Sequence, residues 1–135
     1  MPQVDVNLMV VLVAAIAAMV IGSLWYSPLL FVKEWSKLAK LDSKDKQNSP
    51  AKAMTIAAVM ALITAYVLAH IIAYSGATTL TEGLVTGFWV WLGFFFTTAV
   101  MQGAFETKPM KLTAITVGNS LVTMLVMGSI LASWR

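Results

Sequence analysis

The sequence predicts an all-α fold: a polytopic membrane protein built as a four-transmembrane-helix bundle, with a short cytoplasmic interfacial helix between helices one and two. Three observations carry this expectation: the composition, four long runs without charge, and the uneven placement of the lysines. Apolar residues make up 59% of the 135 residues and charged residues only 11%, whereas a soluble domain averages about 45 to 50% and about 25%. Mean hydropathy is +0.83. A soluble chain of this length could not hide so much apolar surface, and beside one compact unit there is no room for a separate soluble domain. The absence of cysteine excludes disulfide frameworks, thiolate metal sites and cysteine nucleophiles. The net charge of +3 is not a nucleic-acid signal, because the lysines sit in loops between apolar runs.

Charges delimit the elements. Asp5 and Lys33 enclose 27 uncharged residues, Lys52 and Glu82 enclose 29, and 23 lie both between Glu82 and Glu106 and between Lys111 and Arg135. Each run exceeds the roughly 20 residues a helix needs to cross about 30 Å of hydrocarbon. Within one domain over residues 1–135 we expect helix one at 6–26, helix two at 51–74, helix three at 83–105 and helix four at 112–134. Ser27 and Pro28 end the first, since proline disfavours helix in the residue before it, and Ser49 and Pro50 supply a cap and a first-turn proline for the second. The first run carries Asp5 and no basic residue at its start and is longer than a signal-peptide core, so it is expected to span rather than be cleaved.

Positive side chains set the orientation. Lys33, Lys37, Lys40, Lys44, Lys46 and Lys52 lie in or beside the first loop, and Lys108 and Lys111 in the third, against Arg135 alone on the other side. The positive-inside rule then puts these loops in the cytoplasm and both termini outside, with the inner (plasma) membrane as the expected location. Within the first loop Phe31, Trp35, Leu38 and Leu41 recur at helical spacing while Lys33, Lys37 and Lys40 take other positions. This pattern suits a short helix on the membrane surface in contact with membrane lipids.

Small residues mark packing faces. Ala53, Ala57, Ala61, Ala65, Ala69 and Ala73 repeat every four residues along helix two, with Ala14, Ala18 and Gly22 on helix one. Gly83 with Gly87, Ala99 with Gly103, and Gly128 with Ala132 extend the pattern. Such residues let backbones approach where lipid supplies no hydrophobic drive. They serve packing within one bundle or a subunit interface, and a homo-oligomer is expected.

Two polar stripes mark the candidate site. Thr98, Gln102 and Glu106 follow one another at four-residue steps on helix three, and Thr113, Thr116, Asn119, Ser120 and Thr123 share roughly one face of helix four. Facing each other, they would form a hydrated wedge open to the cytoplasm that binds or conducts a small solute or ion. Polar bridging between helices, or bonding of hydroxyls to their own helix, explains the same residues without a ligand. The candidate cluster is Trp25, Tyr26, Gln102, Glu106, Lys108 and Asn119, with Trp25 and Tyr26 just before the Pro28 break. A secondary candidate is His70, the single histidine, flanked by Tyr66 and Tyr74. It would be either a titrating group or an interfacial side chain.

A serine triad has little to stand on, because His70 and Glu106 fall at opposite ends and Asp5 and Glu82, which share the outer side with His70, occur in no nucleophile-bearing motif; no phosphate loop or metalloprotease motif occurs, and a lipid-acting enzyme is a distant third class. We therefore expect no enzyme, no metal, no cofactor and no nucleic-acid partner. The alternative to solute binding is an accessory or scaffold subunit working through helix contacts.

The run Gly22 to Trp35 (GSLWYSPLLFVKEW), the start of helix two at Ser49 to Lys52, Gly83 to Phe88, and Trp91 to Phe94 resemble domain-of-unknown-function family 1761. Phe105, Glu106, Thr107, Lys108 and Pro109 are similar to its Phe-Glu-x-Lys-Pro element. The resemblance implies a small bacterial four-helix membrane protein with no assigned activity. It also implies that Trp25, Tyr26, Pro28, Glu106, Lys108 and Pro109 share the cytoplasmic end of the bundle.

Overall fold

The computed structural model describes residues 4–25, 50–107 and 109–134, and these are helical without a strand. Helix one is Leu8–Trp25, helix two Pro50–Ser75, helix three Leu80–Phe105 and helix four Met110–Ser133. All four are long and apolar enough to cross a membrane. The expected surface helix between helices one and two lies outside the described residues.

Local chemistry moves the boundaries by two or three residues. Asn7 caps helix one, its Oδ1 accepting from the N–H of Met9 at 3.0 Å and of Val10 at 3.4 Å, so the helix begins at Leu8 and not at Val6. Helix three starts earlier than Gly83 because Glu82 is inside it. Thr79 is the cap, its Oγ1 accepting from the Glu82 N–H at 3.1 Å and donating to Glu82 Oε1 at 3.0 Å, a variant of the capping box.

Helix four is the hub and packs against each of the other three. Its closest neighbour is helix three, along a seam of glycines. A Cβ built on Gly83 would lie 2.3 Å from the Gly128 carbonyl oxygen, and one on Gly87 would lie 2.4 Å from that of Met124. Only hydrogen fits at such contacts, which is why these positions are glycine.

Midway, helix three widens into a π-helical turn over Trp91–Phe96. The sequence reading did not foresee it. Such a turn absorbs one extra residue. In an unbroken α-helix Gly103 would sit about 120° round the axis from Trp91, and with one residue absorbed the offset falls to about 20°. Trp91 and Gly103 consequently both face helix four: Trp91 bonds to it, and Gly103 meets Thr113 Oγ1, which a Cβ would approach to 2.7 Å.

The core occupies one half of the bundle. Val10, Val11 and Ala14 of helix one meet Ala65, Leu68 and Ile72 of helix two, and Met127 and Leu131 of helix four. Leu68, Ile72 and Met127 are the largest fully buried side chains. Towards Pro50 the packing opens, and every residue from Ala51 to Ala57 is exposed. The alanine repeat of helix two is therefore divided, with Ala65 and Ala69 in the core and Ala53 and Ala57 outside it.

Candidate functional site

The opening of the bundle is lined from one end by helix one and helix two and floored by helix four. It forms a cleft of about 690 Å³ that reaches from Met54 to Met127. Apolar walls come from helix two and helix one through Ala18, Met19, Met54, Ala57 and Met60, closed on one side by Phe95 from the π-helical turn. The polar floor is Asn119, Ser120 and Thr123, opposed by Thr64 and Ser23. Among the described residues no charged side chain lines it.

Helical geometry places these floor residues. Asn119, Ser120 and Thr123 occupy consecutive turns of one face of helix four, the face that helix three leaves to helices one and two. Ser120 is held on both sides: its Oγ donates to the Val117 carbonyl at 2.9 Å and accepts from the Trp91 indole N–H at 3.0 Å. Thr64 donates to the Met60 carbonyl at 2.9 Å. Asn119 differs from both, since its Oδ1 is buried and has no hydrogen-bond partner. A buried amide oxygen without a donor costs free energy on the order of 1 to 3 kcal/mol.

Trp25 closes the same end. Its indole N–H donates to the Ile115 carbonyl at 3.0 Å, and its ring lies over Gly118, where a Cβ would meet Cζ2 at 3.0 Å. Trp25 and Asn119 of the expected cluster are thus brought to one interface, between helix one and helix four. Gln102 and Glu106 are not. Helix three presents Gly103 to helix four, so Gln102, one position away, is turned about 100° off that contact and is exposed. Glu106 ends the helix, exposed, before a tight turn in which Thr107 takes a left-handed conformation with φ 55°. Thr98 and Thr116 are exposed as well. The two polar stripes therefore do not form one wedge, and the helix-four stripe alone floors the cleft. Tyr26 and Lys108 lie outside the described residues.

His70 sits at the other end of the bundle. Its Nδ1–H donates to the Tyr66 carbonyl at 2.8 Å, and its ring contacts those of Tyr66 and Tyr74 with centroids 4.6 and 6.2 Å apart. Among the described residues no group of three or more His, Cys, Asp or Glu is placed to hold a metal.

The sequence reading passed over Trp91, the cleft methionines and Thr64. Trp91 had a signal, since it continues the four-residue step of Gly83 and Gly87. A family model for proteins of unknown function, DUF1761, matches residues 9–132. The chain belongs to the DUF1761 family. No curated protein and no solved structure matches it. The resemblance drawn from Gly22 to Trp35 and from Phe105 to Pro109 is borne out by this match. All four helices, the glycine seam and the cleft fall within the DUF1761 region or at its edge, and the family's description attaches no activity to them.

Proposed function

We propose that this DUF1761 protein is a multi-pass protein of the inner (plasma) membrane that binds a small neutral solute in the cleft between helices one, two and four. The observation that carries this is the cleft itself, in which apolar walls meet a polar floor of Asn119, Ser120 and Thr123. A few placed polar groups within apolar walls are the usual composition of a small-molecule site, and this volume is within the usual range. Insertion is supported by four apolar spans and by large side chains such as Leu12, Ile16, Ile63, Val67 and Phe94 left exposed on the outside of the bundle. Both termini face outward and the lysine-rich loops face the cytoplasm, by the charge bias of the loops. The mouth of the cleft at Met54 is then its cytoplasmic end.

Binding is favoured over ion conduction because the lining is uncharged among the described residues and the other half of the bundle is filled by Leu68, Ile72 and Met127. The accessory-subunit alternative needs a small-residue face to spare. Gly83, Gly87 and Gly128 are used inside the monomer and Ala57 lines the cleft, which leaves Ala53 for self-association into a homo-oligomer.

The chain has no cysteine, so a single thiol tests the cleft directly. In inside-out membrane vesicles, Thr123→Cys is expected to react with N-ethylmaleimide at a rate comparable to Thr78→Cys in the exposed loop. A Thr123→Cys thiol that stays unmodified while Thr78→Cys is labelled would show the cleft closed to solutes and sink the proposal.

A further inference from the structure

We infer that a second cavity, between the start of helix one and the end of helix four, binds a methylated ammonium group through the carboxylate of Asp5 and the indole of Trp134. It lies at the other end of the bundle from the mouth of the cleft at Met54, and the inference does not depend on that cleft.

The cavity measures about 350 Å³, and three helices wall it with Val6, Val10, Ala69 and Leu131. Asp5 and Trp134 line it as well. Asp5 is exposed, so its carboxylate is open to a ligand. It is not the cap of helix one, because the first-turn N–H groups of Met9 and Val10 bond to Asn7 Oδ1. Among the described residues it forms no ion pair. Lys111 begins the helix that Trp134 ends, roughly 35 Å away along its axis, and Lys52 begins helix two, beside the mouth of the cleft. A carboxylate with no counter-charge, at a cavity whose other walls are mostly apolar, is complemented by a cation.

The lining also decides which cation. A bare metal ion asks for about six oxygen ligands, and among the described residues no cluster of three acidic or imidazole side chains exists to supply them. A primary ammonium brings three N–H donors, yet Asp5 is the one strong acceptor here, since Asn7 Oδ1 already accepts from two N–H groups. A methylated ammonium carries the same charge with no donor left to satisfy. Its methyl groups suit the valine and leucine walls, and an indole attracts such a cation better than the other aromatic rings. The group is carried by a free solute or by a lipid headgroup, because the cavity sits where two helix ends leave the bundle.

The test uses the full chain in maltoside micelles, with ionic strength held constant by sodium chloride. One arm compares choline with its neutral isostere 3,3-dimethylbutan-1-ol, and a second compares diheptanoylphosphatidylcholine with diheptanoylphosphatidylglycerol. Apparent affinity is read from the saturable rise in Tm. In at least one arm the methylated ammonium is expected to bind on the order of tenfold more tightly than its counterpart. Asp5→Asn is expected to abolish that preference and Trp134→Leu to weaken binding roughly two- to fivefold. A preference for choline assigns the site to a free solute, and one confined to the phosphatidylcholine arm assigns it to a headgroup; both uphold the ammonium. Equal affinities in both arms, or no saturable rise in either, would overturn it. A preference that survives in Asp5→Asn would overturn it too, by removing Asp5 from the site. None of these results bears on the thiol labelling that tests the cleft.

Discussion

The indole N–H of Trp91 donates to the backbone carbonyl of Val117 at 3.0 Å, linking the π-helical turn of helix three to the middle of helix four. The same N–H reaches Ser120 Oγ at 3.0 Å, on the floor of the cleft, and the Trp91 ring packs at a tilt of 53° against Phe96 with centroids 5.3 Å apart. Trp91 is almost fully buried. A donor at this depth has no water to turn to, so the bond holds the register between the two helices.

Trp91→Phe keeps most of the ring and removes the donor. It is expected to lower unfolding stability by about 1 to 2 kcal/mol, with Ser120→Ala costing less because the indole keeps its bond to Val117. Denaturant titration of the purified protein in micelles measures both. A Trp91→Phe protein as stable as the parent would mean that packing of the ring, and not its N–H, sets the register.

Gly83→Ala would drive a Cβ against the Gly128 carbonyl, at 2.3 Å, and against Ala132 Cβ, at 2.7 Å. Backbone cannot swing aside as a side chain can. The helices must separate along the seam, at an expected cost of about 2 to 3 kcal/mol. Gly22→Ala is the control, since a Cβ there meets nothing within 4 Å. Similar melting temperatures for the two variants would contradict the close approach.

The alanine repeat of helix two should split in the same way. Ala65 is fully buried, so Ala65→Leu overpacks the core and is expected to cost about 1 to 3 kcal/mol. Ala61 borders the cleft, so Ala61→Leu should fold and slow the labelling of Thr123→Cys. If self-association uses the exposed alanines, Ala53→Leu should reduce the molecular mass measured by light scattering in mild detergent to that of one chain. A parent protein that is already monomeric under those conditions would remove the homo-oligomer.

Asn119→Leu removes the partnerless amide oxygen and should leave stability unchanged or raise it by up to about 1 kcal/mol. A bridging asparagine would behave oppositely, since its loss strands the groups it joined. Glu106→Gln alters an exposed helix end and is expected to shift stability by less than about 1 kcal/mol. A cellular phenotype from Asn119→Leu but not from Glu106→Gln would place function in the cleft. The reverse would move it to the end of helix three.

Orientation is checked by access. A tag after Arg135 should react with a membrane-impermeant reagent on intact cells, whereas one inserted between Ser43 and Asn48 should not. The opposite pattern would turn the protein over and put the mouth of the cleft on the outside.

Number, length and order of the helices were legible in the sequence because they depend on one-dimensional quantities. A charge is costly within hydrocarbon and about 20 apolar residues are needed to cross it, so gaps between charges, together with the breaks at Pro28 and Pro50, marked out Leu8–Trp25, Pro50–Ser75, Leu80–Phe105 and Met110–Ser133 to within three residues. Family membership was legible for the same reason, in local runs such as Gly22 to Trp35. Which polar residues meet was not legible, because a face is defined only relative to a neighbour. The sequence shows Thr98, Gln102 and Glu106 as one stripe but not which neighbour that stripe faces. The π-helical turn at Trp91–Phe96 changes the phase of everything after it, bringing Gly103 to helix four and leaving Gln102 exposed. The cleft likewise exists only because helix two meets the core through Ala65, Leu68 and Ile72 and not through Ala53 and Ala57, a choice between equivalent steps of one alanine repeat that the packing of three helices decides.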